Sequence, residues 1–569
     1  MKRIVLTVLL IAATVSLHAQ EDAFRTIVLF VRFPDLELRA TPEQQDSLLA
    51  ELKAYFDTQF YPRKEFVFDR GPVIDADRPY AYYGANTPDR KDALAGRLAY
   101  EVAKNADADV NFADYDNDAD GTVDGIILIV PGASEFDTHE EKLFWPQTES
   151  LGRDRLNLVL DGKKMESYSI VPELDTLGAL AGIGTLAHEF GHLLGLQDLY
   201  DTDLEGSGGI YRGLGRSTAL MEFGNSNDGG RTPPNFNAID RHILEMGEET
   251  PIMDYGEFIL PPIDENGRYF MIPTDADGIF YLLENRIPRG YDTHIGGEGM
   301  LIYRIDRSDG DAGYSTYFQR TLSAMERWRQ NQVNCNPDHP CAHMLWALPD
   351  SIPARYAFWP QDERNVFKAP PFALKDISRL PDGNISFKYI EPIHIDAVSV
   401  YQSSVVIKWT LSEDILPVDS CKVQWSTANS PMGESFGQMA RDGSWSCTVS
   451  GLSPRATFDF EVHAWSSDGN EYLRGGNFTT RIYRSSIFRF IYLGQVPRND
   501  DGSFPAGTRI PLIVYNSIGG EHTEWTFDGK AIEAESDGFW TLPGNGTLKA
   551  CVHNPDGSTD IIIKEITVR

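Results

Sequence analysis

Long apolar runs are nearly missing from this 569-residue chain. Residues 4–17 come closest, and that stretch is too short and too lightly flanked to make a good membrane span. Positive charge is also scarce. Against 84 Asp and Glu there are 51 Lys and Arg, and the formal net charge of −33 repels phosphate backbones and anionic membrane surfaces. Nucleic acid is therefore not an expected partner. Cysteine is sparse as well: Cys335, Cys341, Cys421, Cys447 and Cys551 make up the set, and none of their spacings is that of a zinc knuckle. Short-period repeats and low-complexity tracts are lacking, which excludes solenoids and long disordered linkers.

What the chain does have begins with a leader. Lys2 and Arg3 precede the apolar run, and Ala19 precedes a polar stretch, so residues 1–20 read as a signal peptide. No cysteine follows it to carry a lipid anchor. Export permits disulfides. Cys335 and Cys341 lie close enough in sequence to close a small loop, Cys421 and Cys447 lie in one apparent β domain that they could bridge, and Cys551 is left over.

A chain of this length exceeds one hydrophobic core. Residues 21–390 read as one mixed unit: Ile27 to Val31 and Ile126 to Val130 are buried-strand patterns, Pro42 to Phe56 has helical spacing, and Ala179 to Leu194 is a helix candidate with Gly195 at its C-terminal cap. After residue 390, short alternating strands recur between Gly, Pro, Asn and Asp. Residues 393–482 resemble a fibronectin type III sandwich, with Phe458 where that fold usually has its corner tyrosine. Residues 485–569 read as a second, immunoglobulin-like sandwich.

The decisive stretch is His188-Glu-Phe-Gly-His192-Leu-Leu-Gly195-Leu-Gln-Asp198. Positions four apart share one helix face, so His188 and His192 can aim two imidazoles at one ion. Gly195 lets the chain turn back and bring Asp198 in as a third donor. Two neutral nitrogens and a carboxylate suit zinc, and three protein ligands leave a position open for water. Glu189, beside the histidines, is placed to take that water's proton. Downstream, Met221 stands where metzincins have their Met-turn.

A second acidic pattern, Asp116, Asp118, Asp120, Thr122 and Asp124 with Gly121 at the sixth position, has the spacing of a calcium loop but lacks its twelfth-position glutamate. A structural calcium ion is expected there. Glu284 and Arg286 are candidates for an ion pair, either buried near the site or on the surface. His339 and His343 flank Cys341, but the proline between them spoils helical spacing for a further metal site.

Taken together, Thr185 to Asp201, Gly213 to Gly224, Glu284-Asn-Arg286, Gly299 to Asp306 and the acidic stretch Asp114 to Asp124 resemble the immune inhibitor A family of bacterial secreted metallopeptidases. The resemblance spans roughly residues 25–390. It implies an α+β, metzincin-like (zincin) catalytic domain, followed here by two all-β sandwich domains. It also implies endopeptidase activity on extracellular proteins, host or matrix proteins among them, with His188, His192 and Asp198 as zinc ligands and Glu189 as base. The chain departs from the family at Gln147, where relatives often have histidine. The peptidase pattern begins at Arg25, so no long pro-segment is expected. A monomer is expected, secreted or held at the cell surface or in the periplasm. The alternative is a non-catalytic adhesion protein on a degenerate peptidase scaffold; the intact set of donors and base argues against it.

Overall fold

The computed structural model describes residues 23–60, 64–88, 90–203, 206, 217–348, 354–361, 364–427, 430–481, 489–515, 520–554 and 559–569. The leader expected over residues 1–20 lies outside them, as do residues 482–488 at the expected boundary between the two sandwiches. Among the described residues no helix is long and apolar enough to cross a membrane. The chain divides into two compact units, residues 1–367 with 375–388, and residues 368–374 with 389–569.

The first unit is mixed, and its organising element is a five-stranded sheet. Strand β1 (Phe24–Arg32) is followed by helix α1 (Pro42–Gln59), strand β2 (Phe66–Asp75), helix α2 (Ala95–Ala106), strand β3 (Ile126–Ala133), strand β4 (Gln147–Ser150), strand β5 (Ser167–Leu174) and helix α3 (Ile183–Leu193). Across the sheet the order is β2-β1-β3-β5-β4. The first four strands run parallel, and β4 joins the edge antiparallel to β5. The continuous apolar run of β1 is what a parallel strand covered on both faces requires. Its side chains alternate accordingly. Val28 and Phe30 join a core with Leu52 and Phe56 of α1 and with Leu186 and Phe190 of α3. Ile27, Leu29 and Val31 join another core with Leu98, Ala99 and Val102 of α2.

The helices begin where local chemistry allows. Thr41 and Gln44 form a reciprocal capping box ahead of α1, with Pro42 in its first turn. Helix α3 starts at Ile183 rather than at Ala179, because Leu180 bridges back to Leu174 and the Ala181 N–H donates to Glu173 O. Tertiary pairing there takes the residues that periodicity alone assigns to the helix. After α3 the chain reverses at Gly195, whose φ of +103° strains any residue with a Cβ.

Further along, β6 (Arg268–Pro273), β7 (Ile279–Arg286) and β8 (Gly299–Asp306) form the centre of a second sheet, with β7 antiparallel to both neighbours. The second unit is all-β over its larger part. Residues 393–479 contribute two four-stranded antiparallel sheets, with fully buried Trp409 in one of them. Residues 490–566 add shorter antiparallel strands around Ile510, Trp525 and Leu548.

The disulfide expectation is corrected. All five cysteines are free thiols. Cys335 Sγ lies 3.2 Å from Thr202 Oγ1, and Cys341 Sγ makes a long contact with His339 O at 3.9 Å. Cys421 is buried, and Cys447 Sγ faces Ser435 O at 3.8 Å. Cys335, Cys341 and Cys447 are each packed as a small apolar group with a weak polar neighbour, and burial pushes the Cys335 and Cys341 thiols up to about 11 and about 12, so neither is a ready thiolate.

Candidate metal centre

Helix α3 carries His188, Glu189 and His192, and the Gly195 reversal returns Asp198 to the same point. Asp198 Oδ1 lies 3.1 Å from His188 Nε2 and 3.4 Å from His192 Nε2. The two rings stand nearly perpendicular, with centroids 4.9 Å apart. Their other nitrogens are engaged: His188 Nδ1 faces Leu220 O at 2.9 Å, and His192 Nδ1 faces Leu196 O at 2.9 Å. A carbonyl only accepts, so each Nδ1 carries the proton and each Nε2 of a neutral ring presents its lone pair.

Asp198 is held equally firmly. Asn331 Nδ2 donates to its Oδ2 at 2.7 Å, and the Asp198 N–H donates to Asn331 Oδ1 at 2.7 Å. Its Oδ1 is buried and receives no hydrogen bond. An unsatisfied buried carboxylate oxygen facing two imidazole lone pairs is costly unless a cation lies between them. The donor set therefore fits a metal ion, and nitrogen-nitrogen-oxygen donors suit zinc. The electrostatics agree. Burial opposes charge on His192, yet the Asp198 carboxylate outweighs it and raises the ring to about 9. Burial likewise opposes charge on Asp198, and the two histidines still hold it below the usual carboxylate range. This point in the fold favours positive charge.

The floor of the site is the turn at Met221. Met221 is fully buried, and its sulfur lies under Gly191, where an added Cβ would come within 2.9 Å of it. The same turn supplies Leu220 O to His188, and Met221 O accepts the Leu199 N–H at 2.9 Å. Residues 213–216 of the motif around it lie outside the described residues. Beneath the turn, fully buried Arg286 on β7 donates to Thr218 O at 3.2 Å and pairs with Glu284 at 3.0 Å and with Asp292. The Glu284–Arg286 pair is thus buried, under the turn that orients His188.

Glu189 sits on the cleft side. Burial raises its carboxyl above the ordinary value. Its Oε2 accepts from Thr148 Oγ1 at 2.8 Å. The cleft it lines has a volume of about 370 Å³ and walls that include Phe136, Trp145, Pro146 and Leu174. Gln147 does not enter this chemistry. Its side chain donates to Asp92 Oδ2 at 2.7 Å and pins the strand to the turn that precedes α2.

In the acidic loop, Asp116, Asp118 and Asp120 offer oxygens within 4.8 Å of one another. Lys163 Nζ already lies 2.5 Å from Asp116 Oδ2 and supplies a positive charge. Asp124 is not part of that group. Its Oδ2 is taken by the backbone and side-chain N–H groups of Asn117, at 2.6 and 2.9 Å. The Thr122 N–H caps Asp120. His339 pairs with Asp306 at 3.0 Å and belongs to none of the candidate metal-binding groups among the described residues.

Sequence reasoning missed Thr148, Asn331 and Tyr200. Tyr200 lines the cleft with its hydroxyl near Asp198, and burial keeps it strongly protonated. No spacing rule links any of the three to the histidines, although Tyr200 follows Asp198 by only two positions.

Residues 137–228 match the family model described as immune inhibitor A peptidase M6, catalytic domain. The pre-pro-metalloprotease PrtV of two serotype O1 strains of Vibrio cholerae is 29% identical over 164 residues, a stretch that is 23% of this chain and 17% of PrtV. The chain thus matches about a sixth of the length of these curated relatives. Among solved structures, the fibronectin type III domain of human collagen alpha-1(XX) chain is similar at 20% identity over 17% of this chain and 88% of that one, with a TM-score of 0.15. A redesigned β-sandwich protein is similar at 19% identity over 16% of this chain and 93% of that one, with a TM-score of 0.13. Scores of that size carry no argument about the fold. The resemblance read from the sequence does stand: the segment that holds His188, Glu189, His192, Asp198 and Met221 matches the catalytic-domain model of the immune inhibitor A (M6) peptidases.

Proposed function

We propose that the chain is an exported zinc-dependent endopeptidase that hydrolyses peptide bonds of extracellular proteins. One observation carries the reading: two Nε2 atoms, on rings whose Nδ1 atoms face carbonyls, converge on a buried carboxylate oxygen that receives no hydrogen bond. In this reading His188, His192 and Asp198 hold the ion. When bound, zinc supplies Lewis acidity, polarising a scissile carbonyl and acidifying water.

The remaining chemistry falls to the chain's own groups. Glu189, raised by burial, takes the proton of the attacking water and delivers it to the amine nitrogen as the carbon–nitrogen bond breaks. The apolar walls of the cleft exclude bulk water and seat a substrate side chain. The basic start and apolar run of the leader support export. The all-β modules after residue 390 are assigned to spacing or attachment, by analogy of fold.

The test is digestion of casein or gelatin by the purified protein, with and without a chelator, beside Glu189→Ala. The wild type should cleave and lose activity to the chelator. Glu189→Ala should bind zinc one-to-one and cleave at least about a hundredfold more slowly, the scale of a lost general base. Equal cleavage by both proteins removes Glu189 from its role. Cleavage that survives complete metal removal removes the zinc reading.

A further inference from the structure

We propose that Thr148, backed by Ser169, is the positioning residue for Glu189: a hydroxyl pair on two sheet strands fixes one carboxylate oxygen so that the other is presented to the substrate. The inference rests on the assignment of Glu189 as the base. It assigns a role to two residues that no motif includes.

Thr148 lies on β4, the antiparallel edge strand, and Ser169 on β5. The two are direct Cα partners in the register of that pair. Side chains opposite each other on antiparallel strands come within hydrogen-bonding reach, and Thr148 Oγ1 and Ser169 Oγ are 2.7 Å apart. Thr148 Oγ1 is also 2.8 Å from Glu189 Oε2 and 2.9 Å from Glu189 O. Ser169 is fully buried, and its Oγ lies 3.5 Å from the same backbone carbonyl.

Counting protons narrows the arrangement. Thr148 has one hydroxyl proton and two lone pairs. A carboxylate is a stronger acceptor than an amide carbonyl, so the proton goes to Glu189 Oε2. One Thr148 lone pair is then free to accept the Ser169 proton. The chain of donors runs Ser169 to Thr148 to Glu189 Oε2, and each bond polarises the next.

Glu189 Oε1 has no hydrogen-bond donor among the described residues, and Glu189 lines the cleft. One oxygen is therefore tied to the sheet and the other is open for proton transfer. The terminal torsion of a glutamate is soft and broadly populated. Without the tie the carboxylate rotates and spends less time with Oε1 in the attacking geometry. A base misplaced by an ångström loses about a hundredfold in rate. Both hydroxyls sit on paired strands rather than on a loop, which is where a positioning group gains accuracy.

The test is steady-state kinetics on a fluorogenic peptide with the full-length, zinc-loaded protein. Thr148→Val keeps the β-branched shape of a strand residue and deletes the hydroxyl. We expect kcat to fall by about 10- to 100-fold with KM within about twofold and zinc content unchanged. Thr148→Ser, which restores the hydroxyl, should return kcat to within about threefold of wild type. Ser169→Ala, one bond further away, should lose about two- to fivefold; it gives an independent reading if Thr148→Val folds poorly. In a Glu189→Ala background, Thr148→Val should leave the residual rate unchanged, because its effect runs through that carboxylate.

Wild-type kcat in folded Thr148→Val overturns the proposal while Glu189→Ala remains inactive and the base assignment stands. Loss of zinc or of KM in step with kcat, without rescue by serine, marks a structural role and also overturns it. Full activity of Glu189→Ala overturns the base assignment itself, a distinguishable failure.

Discussion

Asn331 offers a measurable test of how the proposed metal ligands are held. Its carboxamide brackets Asp198 twice at 2.7 Å, accepting the backbone N–H and donating to Oδ2. Its own backbone sits at φ +52°, in the left-handed region that asparagine and glycine tolerate best. Replacing it therefore changes two things at once, and a pair of substitutions separates them. Asn331→Gly removes the carboxamide and keeps the backbone unstrained; Asn331→Ala removes it and adds about 1–2 kcal/mol of left-handed strain. A hydrogen bond to an ionised group contributes about 1.5–3 kcal/mol. Loss of a group that orients a metal ligand lowers affinity about 10- to 100-fold, or about 1.4–2.8 kcal/mol. The two ranges overlap, so most of the bond's value should appear in metal binding. Titration of zinc-loaded protein with a chromophoric chelator should show Kd rising about 10- to 100-fold in both variants. Only Asn331→Ala should also unfold markedly earlier by calorimetry. Wild-type zinc affinity in folded Asn331→Gly would refute the reasoning, because Asp198 would then hold its place without the bracket.

Two further outcomes follow from buried charge. Asp92 is 1% exposed, and burial, with Glu135 nearby, pushes its carboxyl up from 3.8 to about 7. The folded state then holds this proton more tightly than the unfolded state, so stability falls as pH rises from about 4 to about 7 and is level above that. Asp92→Asn keeps an acceptor for Trp145 N and for Gln147 and removes the titration. Its transition should shift upward relative to wild type by on the order of 3 kcal/mol at pH 8, with the gap closing near pH 4. A gap of the same size at both pH values would show that Asp92 does not carry it. Separately, Arg286→Met leaves Glu284 and Asp292 buried without their counter-charge, which should cost about 3–5 kcal/mol in denaturant unfolding. Because Arg286 also holds Thr218 O, two residues before Leu220, zinc affinity should fall with it. A loss below about 1 kcal/mol would show that the pair contributes no more than an exposed one.

The donor set was legible because its geometry is local. Two imidazoles four residues apart share a helix face whatever surrounds the helix, and a glycine that reaches φ +103° brings Asp198 back within a few residues. The buried runs at Ile27 and Ile126 were legible for a similar reason, since a strand covered on both faces has to be apolar throughout. The edge strand Gln147–Ser150 left no such trace, because its four residues are half-buried and polar. The cysteine pairings failed because neither nearness in sequence nor a shared domain says where each thiol is buried. The residues that hold the site are silent for a deeper reason. Asn331 lies 133 positions from Asp198, and Thr148 lies 41 from Glu189. Asparagine and threonine in those places satisfy a turn or a strand equally well with no partner at all. A ligand is marked by what its atoms can coordinate, whereas a positioning group is marked only by where the fold delivers a common hydroxyl or amide. The proposal that Glu189 is the base rests on its place beside His188. That one of its oxygens is tied and the other free follows only from the register that sets Thr148 opposite Ser169.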